Sequence, residues 1–168
     1  MIKSQELART FPLSKTFELA LFAILIGTAP LILHEQWITG PIVNALLVIT
    51  FFRLGTTQAI ILTFLPSAAA LAIGTLPMVL APTIPCIILG NILFVSGIRI
   101  FQTKPIVGIL FGAIIKCIWL IISAQWILQF FLSESILGRV TTMLSWPQLA
   151  TALIGGYFAL SVLKLVKR

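Results

Sequence analysis

The chain has 168 residues, 60% of them hydrophobic and 9% charged, with 11 Lys and Arg against 4 Asp and Glu and a formal net charge of +7; its mean hydropathy is +1.16. This composition lies outside the range of soluble domains and leaves room for about six membrane spans with short loops, with no space for a separate soluble domain. The basic residues sit at the ends of apolar segments instead of forming a patch, which excludes a nucleic-acid footprint, and Cys86 and Cys117 lie singly inside apolar runs, which argues against metal or redox work.

Residues 1–16 mix Lys3, Arg9 and Lys15 with Ile2, Leu7, Phe11 and Leu13 and read as a short amphipathic lead-in at the membrane interface. A first span is predicted over residues 17–33. It is long for a cleavable signal and no A-x-A-like site follows it, so it is expected to remain as a span. Ala20, Ala23 and Gly27 form a small-residue stripe on it, suited to contact with another helix. His34, Glu35, Gln36 and Trp37 then make the densest polar cluster between spans, either an interfacial loop with an aromatic anchor or a gate that touches a ligand.

The second span is predicted over 38–52, with Thr39 as N-cap, Pro41 in the first turn and Asn44 facing inward, since an asparagine in lipid would leave its amide unpaired. The third is predicted over 56–76. It carries a polar and small stripe of Thr63, Ser67, Ala70 and Gly74, and Pro66 breaks it near mid-depth by withholding a donor from the Leu62 carbonyl. The fourth covers 82–101, with Pro82 and Pro85 at its start and Asn91 near mid-depth. The fifth covers 106–131. The connection 132–145, with Glu134 and Arg139, is expected to form a short interfacial helix over a pocket mouth, and a sixth span covers 146–166.

The fifth span contains one formal charge, Lys116. At a rise of about 1.5 Å per residue it lies roughly 15 Å deep, near the middle of a ~30 Å hydrocarbon core. A lysine there costs about 2.5–3.5 kcal/mol on insertion scales and must face protein or water. Gly108, Gly112, Lys116 and Ser123 share a face, and Gly108-x-x-x-Gly112 is a close-packing spacing, so the amine points into a bundle.

The chain has no aspartate, and Glu6, Glu18, Glu35 and Glu134 all fall at or beyond the predicted membrane edges. That removes paired intramembrane carboxylates, carboxylate-held cations and carboxylate proton relays. With one histidine, no G-x-S-x-G elbow and no phosphate loop, neither a zinc site nor a catalytic nucleophile is expected, no cofactor is implied, and ATP use would belong to a partner. What remains is an amine with uncharged polar groups: Lys116, Asn44, Thr63, Ser67, Asn91, Ser123 and Gln125. Mid-depth cavities of membrane transporters are built from broken helices and such side chains. The alternative is a structural or assembly protein without ligand, in which these groups only stitch the bundle.

With the N-terminus inside, nine basic residues (Lys3, Arg9, Lys15, Arg53, Arg99, Lys104, Lys164, Lys167 and Arg168) fall on the cytoplasmic side and only Arg139 outside. The expected architecture is therefore an all-α, polytopic six-helix membrane bundle with both termini cytoplasmic.

The run 38–91 carries P-x-x-N-A-x-L at 41–47, Gly55, and L-P-S, G-x-L-P and A-P-x-I-P between Leu65 and Pro85; a tail Ser145-Trp146-Pro147-Gln148 precedes Ala152, Gly155 and Gly156. Together these resemble the substrate-binding (S) components of energy-coupling factor transporters. The resemblance implies a subunit that captures a vitamin-like micronutrient or a metal from outside and pairs with a transmembrane coupling subunit and two ATPases. In that family a small-residue face on helix 1 meets the coupling subunit, which would assign Ala20, Ala23 and Gly27 to this contact. The ligand sits nearer the outer side, under the loop after helix 1, which maps to residues 34–37 and would assign His34, Glu35 and Trp37 to the site, while Lys116 lies deeper than that pattern. The metal-specific branch uses an N-terminal histidine-bearing segment that residues 1–4 lack, which disfavours cobalt and nickel.

Overall fold

The computed structural model describes residues 14–33 and 35–166, so most of the predicted lead-in, and His34, lie outside the described residues. Helix α1 (Lys15–Ile32) starts where the Ser14 hydroxyl accepts the Phe17 N–H at 3.2 Å. Helix α2 (Gln36–Leu54) follows after a short link. It begins two residues earlier than predicted because Glu35, in extended backbone, takes the N-cap position and its carbonyl accepts from Ile38 and Thr39. Thr39 is therefore not the cap; its hydroxyl reaches back to the Leu33 carbonyl.

Gly55, at φ 104°, reverses the chain between α2 and α3 (Thr56–Leu62), a backbone state that a side chain would strain. The third predicted span is not one helix to residue 76. Thr63 and Phe64 tighten into turns on the Ile60 and Ile61 carbonyls, and a second helix, α4 (Leu65–Ala72), starts with Pro66 in its first turn. The ring of Pro66 cannot donate to Leu62, so α3 cannot run on through it. A linker with one 3-10 turn, Met78–Leu80, leads to α5 (Thr83–Ile100).

Helix α6 (Pro105–Ile122) carries Lys116 and then loosens into a π turn, Ser123–Ile127, and a 3-10 turn, Leu128–Phe130. The connection that follows folds as helix α7 (Glu134–Met143), and α8 (Trp146–Leu165) closes the bundle. The described residues contain no strand. Five helical stretches are long and apolar enough to cross a membrane, and the broken pair Thr56–Ala72 is a shorter apolar sixth.

The helices form a ring in which α1 packs on α2 and α4, α3 and α4 on α5, α5 on α6, α6 on α8, and α8 on α2. Glycines set the two closest crossings. A Cβ on Gly112 would strike the Phe94 carbonyl, so the Gly108–Gly112 seam is the α5–α6 contact; one on Gly155 would strike the Pro41 carbonyl, which brings α8 onto α2. Outward faces stay greasy, with Ile24, Ile118, Ile154 and Phe158 all more than half exposed. In α1 only 17% of the span is buried, against 39–44% in the other long spans, which leaves α1 at the periphery. Glu18 of α1 is buried all the same, in an ion pair with Arg53 of α2: Arg53 Nε donates to Oε2 at 3.1 Å and Nη2 to Oε1.

The interior is unequal along its length. Around Leu47, Phe51, Phe94, Ile98, Ile109 and Ala159 it is solid, fully apolar core. A smaller cluster, Cys86, Leu120, Ala124, Leu128, Val140 and Leu144, seats α7 against α6 at the opposite end. Between the solid core and that end the bundle is hollow.

Candidate functional site

Lys116 is 3% exposed, and its Nζ donates to Asn44 Oδ1 at 2.9 Å, a bond that joins α6 to α2 across the interior. Asn44 is held in turn by donating Nδ2 to the Gly40 carbonyl one turn earlier, at 2.8 Å. This local bond fixes the amide so that its oxygen faces the amine. The ammonium also lies 5.7 Å from the centroid of the Phe94 ring, within reach of a cation–π attraction. Among the described residues no carboxylate lines the space around it, and their one salt bridge, Glu18–Arg53, is at the other end of the bundle.

The amine borders a cavity of about 400 Å³, within the range of small-molecule sites. Lys116, Asn44, Asn91, Ser67 and Pro66 line its buried depth, and Thr75, Pro77 and Met143 line its exposed rim. The rim is made by the ends of α1 and α4, the 73–82 linker and α7, all at one end of the bundle. Much of the remaining wall is apolar, from Pro30, Leu33, Val43, Leu80, Ile87 and Leu144. The break at Pro66 has a direct effect here: α4 starts anew and presents Ser67 and Ala70 to the hollow.

Asn91 and Ser67 are 3% and 7% exposed and have no hydrogen-bond partner among the described residues. Among the described residues no wholly buried side-chain nitrogen or oxygen lacks a partner, so the polar atoms of these two stay in touch with the cavity. Of the remaining predicted residues, Thr63 and Ser123 are buried but spend their hydroxyls on their own helices, at Ile60 and Trp119, outside the cavity wall. Gln125 is exposed, because the π turn at Ser123–Ile127 rotates the residues beyond Ser123 off the face that Lys116 occupies. Glu35 is exposed and off the wall, while Trp37, 48% exposed, leans on Trp146 with ring centroids 5.2 Å apart. Ala20 is exposed, Ala23 packs partly against the core, and no described atom lies within 4 Å of a Cβ placed on Gly27.

The structure adds Gln148 to the site and singles out Gln36 from the 34–37 cluster. Gln36 and Gln148 line the cavity and both donate Nε2 to the Met143 carbonyl, at 2.8 and 3.4 Å, which ties α7 to α2 and α8 over the rim. Chemically the site offers an ammonium, neutral amides and hydroxyls; among the described residues no group of three His, Cys, Asp or Glu side chains is placed to hold a metal ion. Comparison of the chain with protein-family models, with curated proteins and with solved structures finds no match.

Proposed function

We propose that this chain is a membrane-embedded capture subunit of an ATP-driven importer: a six-span bundle with cytoplasmic termini that receives a small micronutrient-like molecule from the outer side and passes it to a transmembrane coupling subunit served by ATPases. The carrying observation is the one-ended cavity, which has solid apolar core beneath it, a rim at one end of the bundle, and at its depth a buried amine with two unpartnered polar side chains. A bundle whose polar groups served only packing would satisfy them internally, as Thr63 and Ser123 do. The resemblance to the S components of energy-coupling factor transporters supports the same reading, and the exposed, peripheral α1 supplies a face for the coupling subunit.

Native mass spectrometry of the full chain extracted from its membrane into nanodiscs tests the capture role. The expected result is a bound small molecule that is lost from Lys116→Met while the variant keeps its thermal unfolding transition. A chain that carries nothing, and that no small molecule stabilises, would instead be a structural membrane protein. For the partner, Gly27→Leu is the informative variant, since it adds bulk where no described atom is near. It is expected to leave the isolated subunit's melting temperature unchanged and to abolish co-purification with the coupling subunit; intact assembly would remove α1 from that interface.

A further inference from the structure

Charge counting inside the cavity narrows the ligand. The wall supplies one cation, Lys116, and no carboxylate among the described residues. An ammonium carries three donors, and this one spends a single hydrogen bond on protein, to Asn44. Asn91 and Ser67, both more than nine-tenths buried, add further donors and acceptors that no protein group uses. Beyond this polar floor the wall is largely apolar up to the rim, where Gln36 and Gln148 have their amide nitrogens on Met143 and their oxygens free to accept.

We infer that the ligand is a compact monocarboxylate with an apolar body, its carboxylate on Lys116, Asn91 and Ser67 and its body against Val43, Ile87 and Leu144. A buried charge is stable only when paired, and a single negative charge neutralises a single ammonium. A phosphate monoester brings nearly two negative charges and leaves one without a partner. A zwitterionic amino acid brings an ammonium for which the wall, among the described residues, holds no acid. A carboxylate is planar with two acceptor oxygens, which suits one charged donor beside an amide and a hydroxyl. This assignment rests on the capture reading above and specifies its ligand.

The test uses the full chain in nanodiscs and a panel of probes read by thermal shift and by binding isotherms. Octanoate, 4-phenylbutyrate and 1-naphthylacetate are each set beside the matching primary amide and methyl ester, with phenylalanine, phenyl phosphate and palmitate as further arms. The expected result is that one or more of the three compact acids stabilises the chain and binds on the order of tenfold to a hundredfold more tightly than its amide, the difference expected of a charge-assisted contact. In Lys116→Met that preference should vanish while any residual amide or ester binding stays within about threefold. Asn91→Leu, which keeps the amine, should weaken the acid severalfold and leave its preference over the amide in place. Stabilisation by phenylalanine, by phenyl phosphate or by the neutral members alone would overturn the monocarboxylate and leave the capture role standing. A preference for palmitate would overturn the compact body in favour of a bilayer fatty acid. If no probe binds and the native protein carries no ligand, both readings fail together.

Discussion

Asn44 is the acceptor that lets a lysine stay buried. Its amide is pinned to the Gly40 carbonyl and its oxygen accepts a hydrogen bond from Lys116 Nζ at 2.9 Å, so the two residues form one unit. Asn44→Leu removes that acceptor and should destabilise the chain by about 1–3 kcal/mol, toward the lower end because water can enter the cavity beside the amine. Lys116→Met added to Asn44→Leu should recover most of the loss, since no charge is then left without a partner. Thermal unfolding of the two single variants and the double variant checks this; strictly additive losses would mean that the two side chains act independently. Glycines give a second contrast. Gly112→Val drives a side chain into the Phe94 backbone and should cost about 3 kcal/mol or more, whereas Gly138→Ala on the open face of α7, with no described atom within 4 Å of the new Cβ, should gain about 0.5–1 kcal/mol. Both are read from the same melting curves. Much of the site's floor was legible at this scale. Lys116, Asn44, Asn91 and Ser67 are polar within apolar runs, and lipid cannot satisfy them, so they had to face inward. That same logic cannot separate a group facing a cavity from one bonded to its own helix, which is why Thr63 and Ser123 read alike in sequence and differ in the fold.

At the level of elements, two helical stretches depart from regularity, α3–α4 at the cavity wall and the end of α6 beyond it. Pro66 ends α3 and restarts the chain as α4, and the π turn after α6 sends Leu128 N–H to the Ser123 carbonyl, five residues back, so the face of Lys116 does not continue toward Gln125. A proline announces itself in a sequence and a π turn does not, hence the break near residue 66 was predicted and the exposure of Gln125 was not. The start of α2 misled for a related reason. Thr39-Gly40-Pro41 has the composition of a helix N-terminus, but Glu35 already occupied the cap and the threonine hydroxyl went to Leu33. Gln148 was not read as a site residue because glutamine at a helix end is ordinary at an interface, and nothing in the 34–37 cluster singled out Gln36; only the fold brings both to the Met143 carbonyl. The Pro66 break makes a direct prediction. Pro66→Ala restores a donor for Leu62 and removes the ring from its path, so α3 and α4 should join into one helix. Amide hydrogen exchange across residues 62–68 should slow by tenfold or so, given that a well-formed helical bond replaces a tightened turn, and binding of an acid probe should weaken as Ser67 turns away from the cavity. Unchanged exchange would show that packing of α4 on α1, and not the proline, holds the break.

Across the whole molecule, charge and hollow fall at opposite ends. Lys15, Arg53, Arg99, Lys104 and Lys164 all stand at the end of the bundle formed by the start of α1, the α2–α3 turn, the α5–α6 link and the end of α8, while the cavity opens among Leu33, Gln36, the 73–82 linker and α7. Arg53 is paired with Glu18, yet the asymmetry persists without it, since among the described residues Arg139 is, apart from the buried Lys116, the one basic residue on the cavity side. Positive residues are retained on the cytoplasmic side during insertion, so the rim should face outward. Cysteine labelling on intact cells tests this on the complete chain. The native thiols, Cys86 and Cys117, are 5% and 8% exposed and should contribute little background. Thr75→Cys, exposed on the rim, should react with a membrane-impermeant maleimide added outside, and Lys104→Cys, exposed at the far end, should react only after the cells are permeabilised. A binding acid in saturating amount should slow labelling at Thr75→Cys and leave Lys104→Cys unaffected. The reverse labelling pattern would open the cavity to the cytoplasm, where a receptor for imported solutes has nothing to collect, and would end the capture reading however well the acid bound.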